Sequence, residues 1–203
     1  MKKKLLFIIL AGCITACTID EVTMEGSSTI EQPEQPVAVC FVDPNNPPAV
    51  FGSQWNAVSF VIETPVDGNG DGVFSTDLFE ESSCTISPII FRDDFKATNP
   101  LFVPISLRLL DDGNGNLVQN IDCNGIIDGL FPTYSQEQDI VYFCYSGQIE
   151  FTGTLSNNDQ TLTIEFTNDL LFGFNITGGN QLLRQNGTVE SYEGGAIVTF
   201  ERI

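Results

Sequence analysis

Residues 160–167 read Gln-Thr-Leu-Thr-Ile-Glu-Phe-Thr, with Leu162, Ile164 and Phe166 at every second position and polar residues between them. Strand side chains point to opposite faces in turn, so a period of two puts three apolar groups on one face, the pattern of a half-buried antiparallel strand. Residues 148–152 alternate in the same way, and Ser156-Asn157-Asn158-Asp159 supplies turn residues between the two runs, which together make a hairpin. The same reading predicts strands over 54–63, 87–92, 102–110, 116–121, 139–145, 170–176, 181–191 and 195–203. Closely spaced turn signals such as Asp112-Gly113, Asn114-Gly115 and Gly178-Gly179 join them. The fold class is therefore all-β, an antiparallel up-and-down meander. One short helix is predicted over residues 77–82, where Asp77 caps the first turn and Glu80 closes a capping box.

The N-terminus follows another pattern. Met1 precedes Lys2, Lys3 and Lys4, then an apolar run over residues 5–10 and small residues up to Cys17. A basic stub before a short apolar core is a secretory signal. The run is too short to span a hydrocarbon layer of about 30 Å as a helix, which takes about 20 residues. Both Leu10-Ala11-Gly12-Cys13 and Ile14-Thr15-Ala16-Cys17 resemble a bacterial lipobox. Cys17 is the better lipidation site. Cleavage before Cys13 leaves an unusually short apolar core, whereas cleavage before Cys17 exposes the polar start Thr18-Ile19-Asp20-Glu21. Residues 1–16 are accordingly read as a lipoprotein signal peptide, 17–50 as a lipidated, acidic, proline-rich tether, and 51–203 as the folded domain. The expected address is the cell envelope, at the periplasmic or surface face of the outer membrane, with the membrane met through the lipid anchor only.

Charge narrows the partners. Without residues 1–16 the chain keeps all 27 acidic residues and five basic ones, Arg92, Lys96, Arg108, Arg184 and Arg202, a formal charge of 5 − 27 = −22. Nucleic acid is excluded as a partner, because phosphate binding needs Lys and Arg to displace counterions. Four cysteines remain beyond the signal: Cys40, Cys84, Cys123 and Cys144. An even number in an exported chain indicates two disulfides, with three pairings open. No Cys-x-x-Cys spacing and no histidine occur, which argues against a zinc site and removes Ser-His and Cys-His nucleophile pairs. A carboxylate pair is the one chemistry left open. Nothing among so many acids singles a pair out, so no catalytic residue is assigned and the chain is read as a non-enzyme.

The sharpest local motif is Asp67-Gly68-Asn69-Gly70-Asp71-Gly72-Val73-Phe74-Ser75-Thr76-Asp77. Oxygen side chains at loop positions 1, 3 and 5 with glycine at 6 match the first half of an EF-hand-type calcium loop. Asp67, Asn69, Asp71, the Val73 carbonyl and Ser75 are the candidate ligands, and calcium is the one cofactor suggested. Position 12 is Leu78 where a bidentate carboxylate is expected, so Asp77 would have to close the shell one residue early. The competing reading is a glycine-rich turn held by Asp and Asn. Asp112, Asn114 and Asn116 repeat the spacing with Leu117 in place of the glycine, and these are read as a hairpin loop.

Gly52-Ser53-Gln54-Trp55, Thr64-Pro65-Val66-Asp67-Gly68-Asn69-Gly70-Asp71-Gly72, Ser75-Thr76-Asp77-Leu78 and Cys84 occur in that order. Phe151-Thr152-Gly153-Thr154-Leu155, Thr161-Leu162-Thr163-Ile164 and Ile197-Val198-Thr199-Phe200-Glu201-Arg202 follow them. In order and spacing these pieces resemble the lipocalin-like lipoproteins of Bacteroidetes-type bacteria. The resemblance implies a lipocalin-like barrel or half-barrel and carries no catalytic residue. An eight-stranded barrel holds either side chains or one small ligand, and the sixteen phenylalanines suit a plain core or the lining of an apolar site. The leading reading is a lipid-anchored, non-enzymatic envelope lipoprotein, with a small apolar molecule as the candidate ligand. Its alternative is a calcium-stabilised β-sandwich adhesion or carbohydrate-binding module presenting Trp55, Tyr134, Tyr142, Tyr145 or Tyr192.

The signal-peptide reading is checked directly. Mass spectrometry of the mature N-terminus is expected to find a lipidated Cys17, and Cys17→Ala is expected to abolish lipidation; a variant that still gains lipid moves the site to Cys13.

Overall fold

The computed structural model describes residues 40–98, 105–122, 131–167 and 180–203. Cys17, Cys123 and the strand predicted over 170–176 lie outside them. The described residues of the compact unit 36–203 are all-β. The long first strand, β1 (Gln54–Val66), pairs antiparallel with β13 (Ala196–Arg202), so the two ends of the domain's sequence lie side by side in the middle of one sheet. On one side follow β10 (Thr161–Phe166), β9 (Gln148–Ser156), β8 (Ile140–Tyr145) and β7 (Thr133–Glu137), each antiparallel to the last. On the other lie β3 (Ile89–Phe91) and β4 (Ala97–Thr98), while β2 (Ser75–Asp77) folds back on β1. This is the expected meander, curled until its edges nearly meet and not split into the two facing sheets of a sandwich.

Closure depends on a few backbone groups at the edges of β4 and β7. Lys96 bridges to Thr133, the Ala97 N–H donates to Pro132 O at 2.9 Å, and the Tyr134 N–H donates to Phe95 O at 3.1 Å. The Tyr134 hydroxyl crosses the same seam and donates to Arg92 O at 2.7 Å. Phe95 makes this geometry available by taking φ +59°, a left-handed conformation costly for a side-chain-bearing residue, and its ring packs on Phe51 and Tyr134.

Alternation decides what faces inward. Leu162, Ile164 and Phe166 of β10 and Phe151, Gly153 and Leu155 of β9 are buried, and the hairpin register pairs Leu162 with Leu155 and Ile164 with Gly153. Its turn places Asn157, Asn158 and Asp159 at φ of 54°, 54° and 59°, where Asn and Asp are best tolerated. In β1 the register slips between Ala57 and Ser59, and the bulge moves the inward phase from Trp55 to Phe60, Ile62 and Val66. The rings then meet across the interior. Phe91 of β3 touches Trp55, Tyr134 and Phe143, Phe143 stacks on Phe151 at 4.4 Å, and Phe151 reaches Phe166. Trp55, Phe60, Phe91, Tyr134 and Phe143 are at most 1% exposed and belong to one continuous core.

Two hairpins lie off the main sheet, β5 (Ser106–Asp111) with β6 (Leu117–Asp122) and β11 (Gln181–Leu183) with β12 (Val189–Ser191). The sequence predicted one strand over 181–191. It breaks because Arg184 and Thr188 close a turn with Gly187 at φ +80°. Side-chain amides join the two hairpins: Gln119 Nε2 donates to Gln181 O at 3.1 Å, Gln119 Oε1 accepts from Leu183 N at 2.8 Å, and Asn180 Oδ1 accepts from Leu107 N at 2.9 Å. Gln119 and Asn180 are buried, so their pairing avoids an unsatisfied polar group at about 1–3 kcal/mol each.

The predicted helix at 77–82 is not formed. Ser75 Oγ, rather than Glu80, accepts the Asp77 N–H at 3.1 Å, and Glu80 Oε2 instead takes the Ser75 hydroxyl at 2.6 Å. The Asp77 carboxylate turns back onto β1, accepting from Ser59 Oγ at 2.8 Å and Phe60 N at 3.1 Å. Asp77 Oδ1 still caps locally, accepting from Phe79 N at 3.0 Å, but Glu80 is drawn away to Ser75 and the segment closes a single turn, Glu80 N to Asp77 O.

Tyr134 gives the seam a pH signature. Burial pushes its hydroxyl up to about 12, aided by the carboxylates of Asp94 and Asp93. A folded pKa above the unfolded value near 10 favours the native state fully below pH 10, and this contribution is lost as pH rises through about 12. Chemical denaturation of Tyr134→Phe is expected to find a protein about 0.5–1.5 kcal/mol less stable at neutral pH, from the lost hydrogen bond to an Arg92 carbonyl that keeps its second partner, Phe95 N, and to lack this part of the alkaline loss; an unchanged pH profile refutes the assignment.

Candidate functional site

The Asp67–Asp77 loop joins β1 to β2, and backbone N–H groups occupy much of its oxygen chemistry. Asp67 Oδ1 accepts from Gly70 N at 2.8 Å and Oδ2 from Gly72 N at 3.0 Å, while Asn69 Oδ1 takes Asp71 N and Asp71 Oδ1 takes Val73 N. Gly70 and Gly72 have φ of 77° and 84°, which a side chain would resist. Gly68 is required for space: a Cβ there would sit 2.6 Å from Glu81 O. Its N–H donates to the carboxylate of the buried Glu81 at 2.9 Å.

Of the candidate calcium ligands, Asp67, Asn69 and Asp71 share the loop's hydrogen-bond web, Val73 is exposed at its rim, and Ser75 is turned to Glu80. Asp77 leaves the set for β1, and Leu78, at the twelfth position, is fully buried in the core. No group of three or more Cys, Asp or Glu side chains is placed to hold a metal ion among the described residues. The second acidic run forms the β5–β6 hairpin loop as expected. There the Asn116 amide, helped by the backbone N–H groups of Asn114 and Asn116, holds the Asp112 carboxyl down at about 2.

The cysteines resolve partly. Cys40 bonds to Cys144 of β8 across 104 residues of sequence, with Cα atoms 5.9 Å apart. Cys84 is also disulfide-bonded. The Cys40 bond fixes the start of a strap, residues 40–50, against the sheet. Its far end is held by Ala49 N donating to Gln136 Oε1 at 2.9 Å and by the fully buried Val50. Between strap and β7 lies an open groove of about 230 Å³, whose walls include Phe41, Asp43, Asn46, Pro47, Gln136 and Gln138. Sequence reading did not single out this groove. The available signal was a phenylalanine directly after a cysteine in a proline-rich segment.

The aromatic platform expected from Trp and Tyr is not assembled. Trp55, Tyr134 and Tyr192 are buried, each with its polar tip paired: Trp55 Nε1 donates to Ser53 Oγ at 2.7 Å, Tyr134 to Arg92 O, and Tyr192 to Gly195 O. Burial also raises the Tyr192 pKa, against the lowering effect of the Glu63 N–H it accepts, while the Glu63 charge adds to the rise. Only Tyr145 among the five is exposed. No family model, no curated protein and no solved structure matches the chain.

A loop held by its own backbone is tested at Asp67. Asp67→Ala removes both acceptors and is expected to cost about 1–2 kcal/mol, with a wild-type melting midpoint equal in millimolar calcium and in chelator; a calcium-dependent rise that Asp67→Ala abolishes would restore the cation reading.

Proposed function

We propose that the chain is a lipid-anchored, non-enzymatic lipoprotein of the cell envelope whose lipocalin-like barrel is a filled scaffold, acting through its outer surface rather than through an enclosed ligand. The observation that carries this reading is the ring network from Trp55 through Phe91, Tyr134 and Phe143 to Phe151 and Phe166, which occupies the space an apolar ligand would need. Interiors packed in this way hold few voids larger than a water molecule, and pockets that enclose a drug-sized apolar ligand need about 300 Å³ or more. The stapled strap adds support. It passes any pull on the N-terminal tether to Cys144 in the sheet instead of to the end of β1.

Two measurements test the two halves. In detergent phase separation the full chain, made in a Gram-negative host, is expected in the detergent phase and Cys17→Ala in the aqueous one. Titration with a polarity-sensitive fatty-acid fluorophore is expected to give no saturable one-site signal. Stoichiometric binding lost on filling substitutions at Gly153, whose Cβ would lie 2.7 Å from Leu162 Cδ1, overturns the filled barrel without touching the anchor.

A further inference from the structure

We infer that the groove between the strap and β7 is a binding site for a neutral, polyhydroxylated ligand, a single sugar ring or the end of a glycan. Phe41 is the first observation. It is 71% exposed, the most exposed of the large apolar side chains described, although burying a phenylalanine is worth about 1.5–3 kcal/mol. It is also not at a loose end. Cys40, its neighbour, is bonded to Cys144, Asp43 accepts from Asn45 N at 2.9 Å and Asn46 N at 3.1 Å, and Pro47-Pro48 fix the backbone up to the Ala49–Gln136 bond. The ring is therefore held in water by a fixed backbone, which lowers the ordering cost of a contact.

Both walls supply hydrogen-bonding groups of matching kind, Asn46 from the strap and Gln138 from the β7 side. Gln138 sits in the β7–β8 turn at φ +54°, its carbonyl accepting from Gln136 Nε2 at 2.7 Å. The side-chain amides of Gln138 and Asn46 have no hydrogen-bond partner among the described residues. Each amide offers two donors and an acceptor, and every sugar hydroxyl both donates and accepts. No Lys or Arg lines the groove and the chain carries a net charge of −19, so anions are disfavoured. The groove, about 230 Å³ and open to solvent, falls short of the roughly 300–1,000 Å³ that encloses a drug-sized apolar ligand and suits a single ring bound at the surface. Phe41 supplies the flat apolar face for the ring's C–H groups, and the amides read its hydroxyls. The site is independent of both the anchor and the barrel interior.

Saturation-transfer NMR and calorimetry on the full chain, with maltose, cellobiose, mannobiose and chitobiose as probes and tetramethylammonium as a cationic control, test the assignment. At least one disaccharide is expected to bind with a millimolar dissociation constant. Phe41→Ala and Gln138→Ala are each expected to weaken it about tenfold, with melting midpoints unchanged because both side chains lie on the surface. Absence of saturable binding by all four sugars overturns the proposal. So does equal affinity in Phe41→Ala, or binding of tetramethylammonium in their place.

Discussion

The pairing of β1 with β13 is the contact on which the rest of the fold depends. Trp55 is opposite Arg202 and Ile62 opposite Ala196, so the central ladder joins residues about 140 positions apart in sequence. Loop closure of that length is entropically costly before any contact is gained, and non-local ladders form slowly. The barrel is correspondingly all-or-none: β10 pairs with the other edge of β13, and the β7–β10 meander has no second attachment to β1 until the seam closes at Thr133 and Tyr134. The Cys40–Cys144 bond acts on the same problem. It ties the segment just before β1 to β8, across the sheet from β1, and so limits the unfolded ensemble that closure must overcome.

How much of this was legible in sequence depends on whether one residue or two distant ones fixed the outcome. The β9–β10 hairpin was legible because alternation and the Asn157-Asn158-Asp159 turn are local. The phase change at Val58 was not, since a bulge is defined only against the partner strand. β7, Thr-Tyr-Ser-Gln-Glu, carries one large apolar residue and becomes a strand because β8 offers it a full antiparallel partner. The predicted helix failed for the reverse reason: Asp77 keeps its local cap on Phe79 N but shares its carboxylate with Ser59 and Phe60, which approach only after β2 has folded back, and Glu80 is held by Ser75. Disulfide pairing was likewise unreadable, as three pairings share one sequence.

The same distinction separates the two acidic motifs. Asp67, Asn69 and Asp71 read as metal ligands by spacing, yet each also accepts a backbone N–H within five residues. Side-chain oxygens at alternate positions serve a tight glycine-rich turn as well as they serve a cation. What separates a calcium loop from a turn is the closing carboxylate, and there the chain places buried Leu78. The high acid content is thus partly structural, with Asp67, Asp77, Asp111 and Asp112 each holding loop or strand N–H groups.

The proposed filled interior changes where specificity would reside. In a hollow barrel the inward positions of the strands would choose the ligand, and sequence changes there would alter function without unfolding the protein. Here those positions are Trp55, Phe91, Tyr134, Phe143 and their neighbours, buried and in contact with one another in one core. Replacing any of them by a small residue costs about 3–5 kcal/mol, a large share of the 5–15 kcal/mol by which domains are stable. On the proposed reading, recognition falls to parts that can vary without that cost. The strap is such a part: outside its anchoring residues Cys40, Ala49 and Val50, it lies on the barrel rather than in it, and its side chains face solvent across the groove.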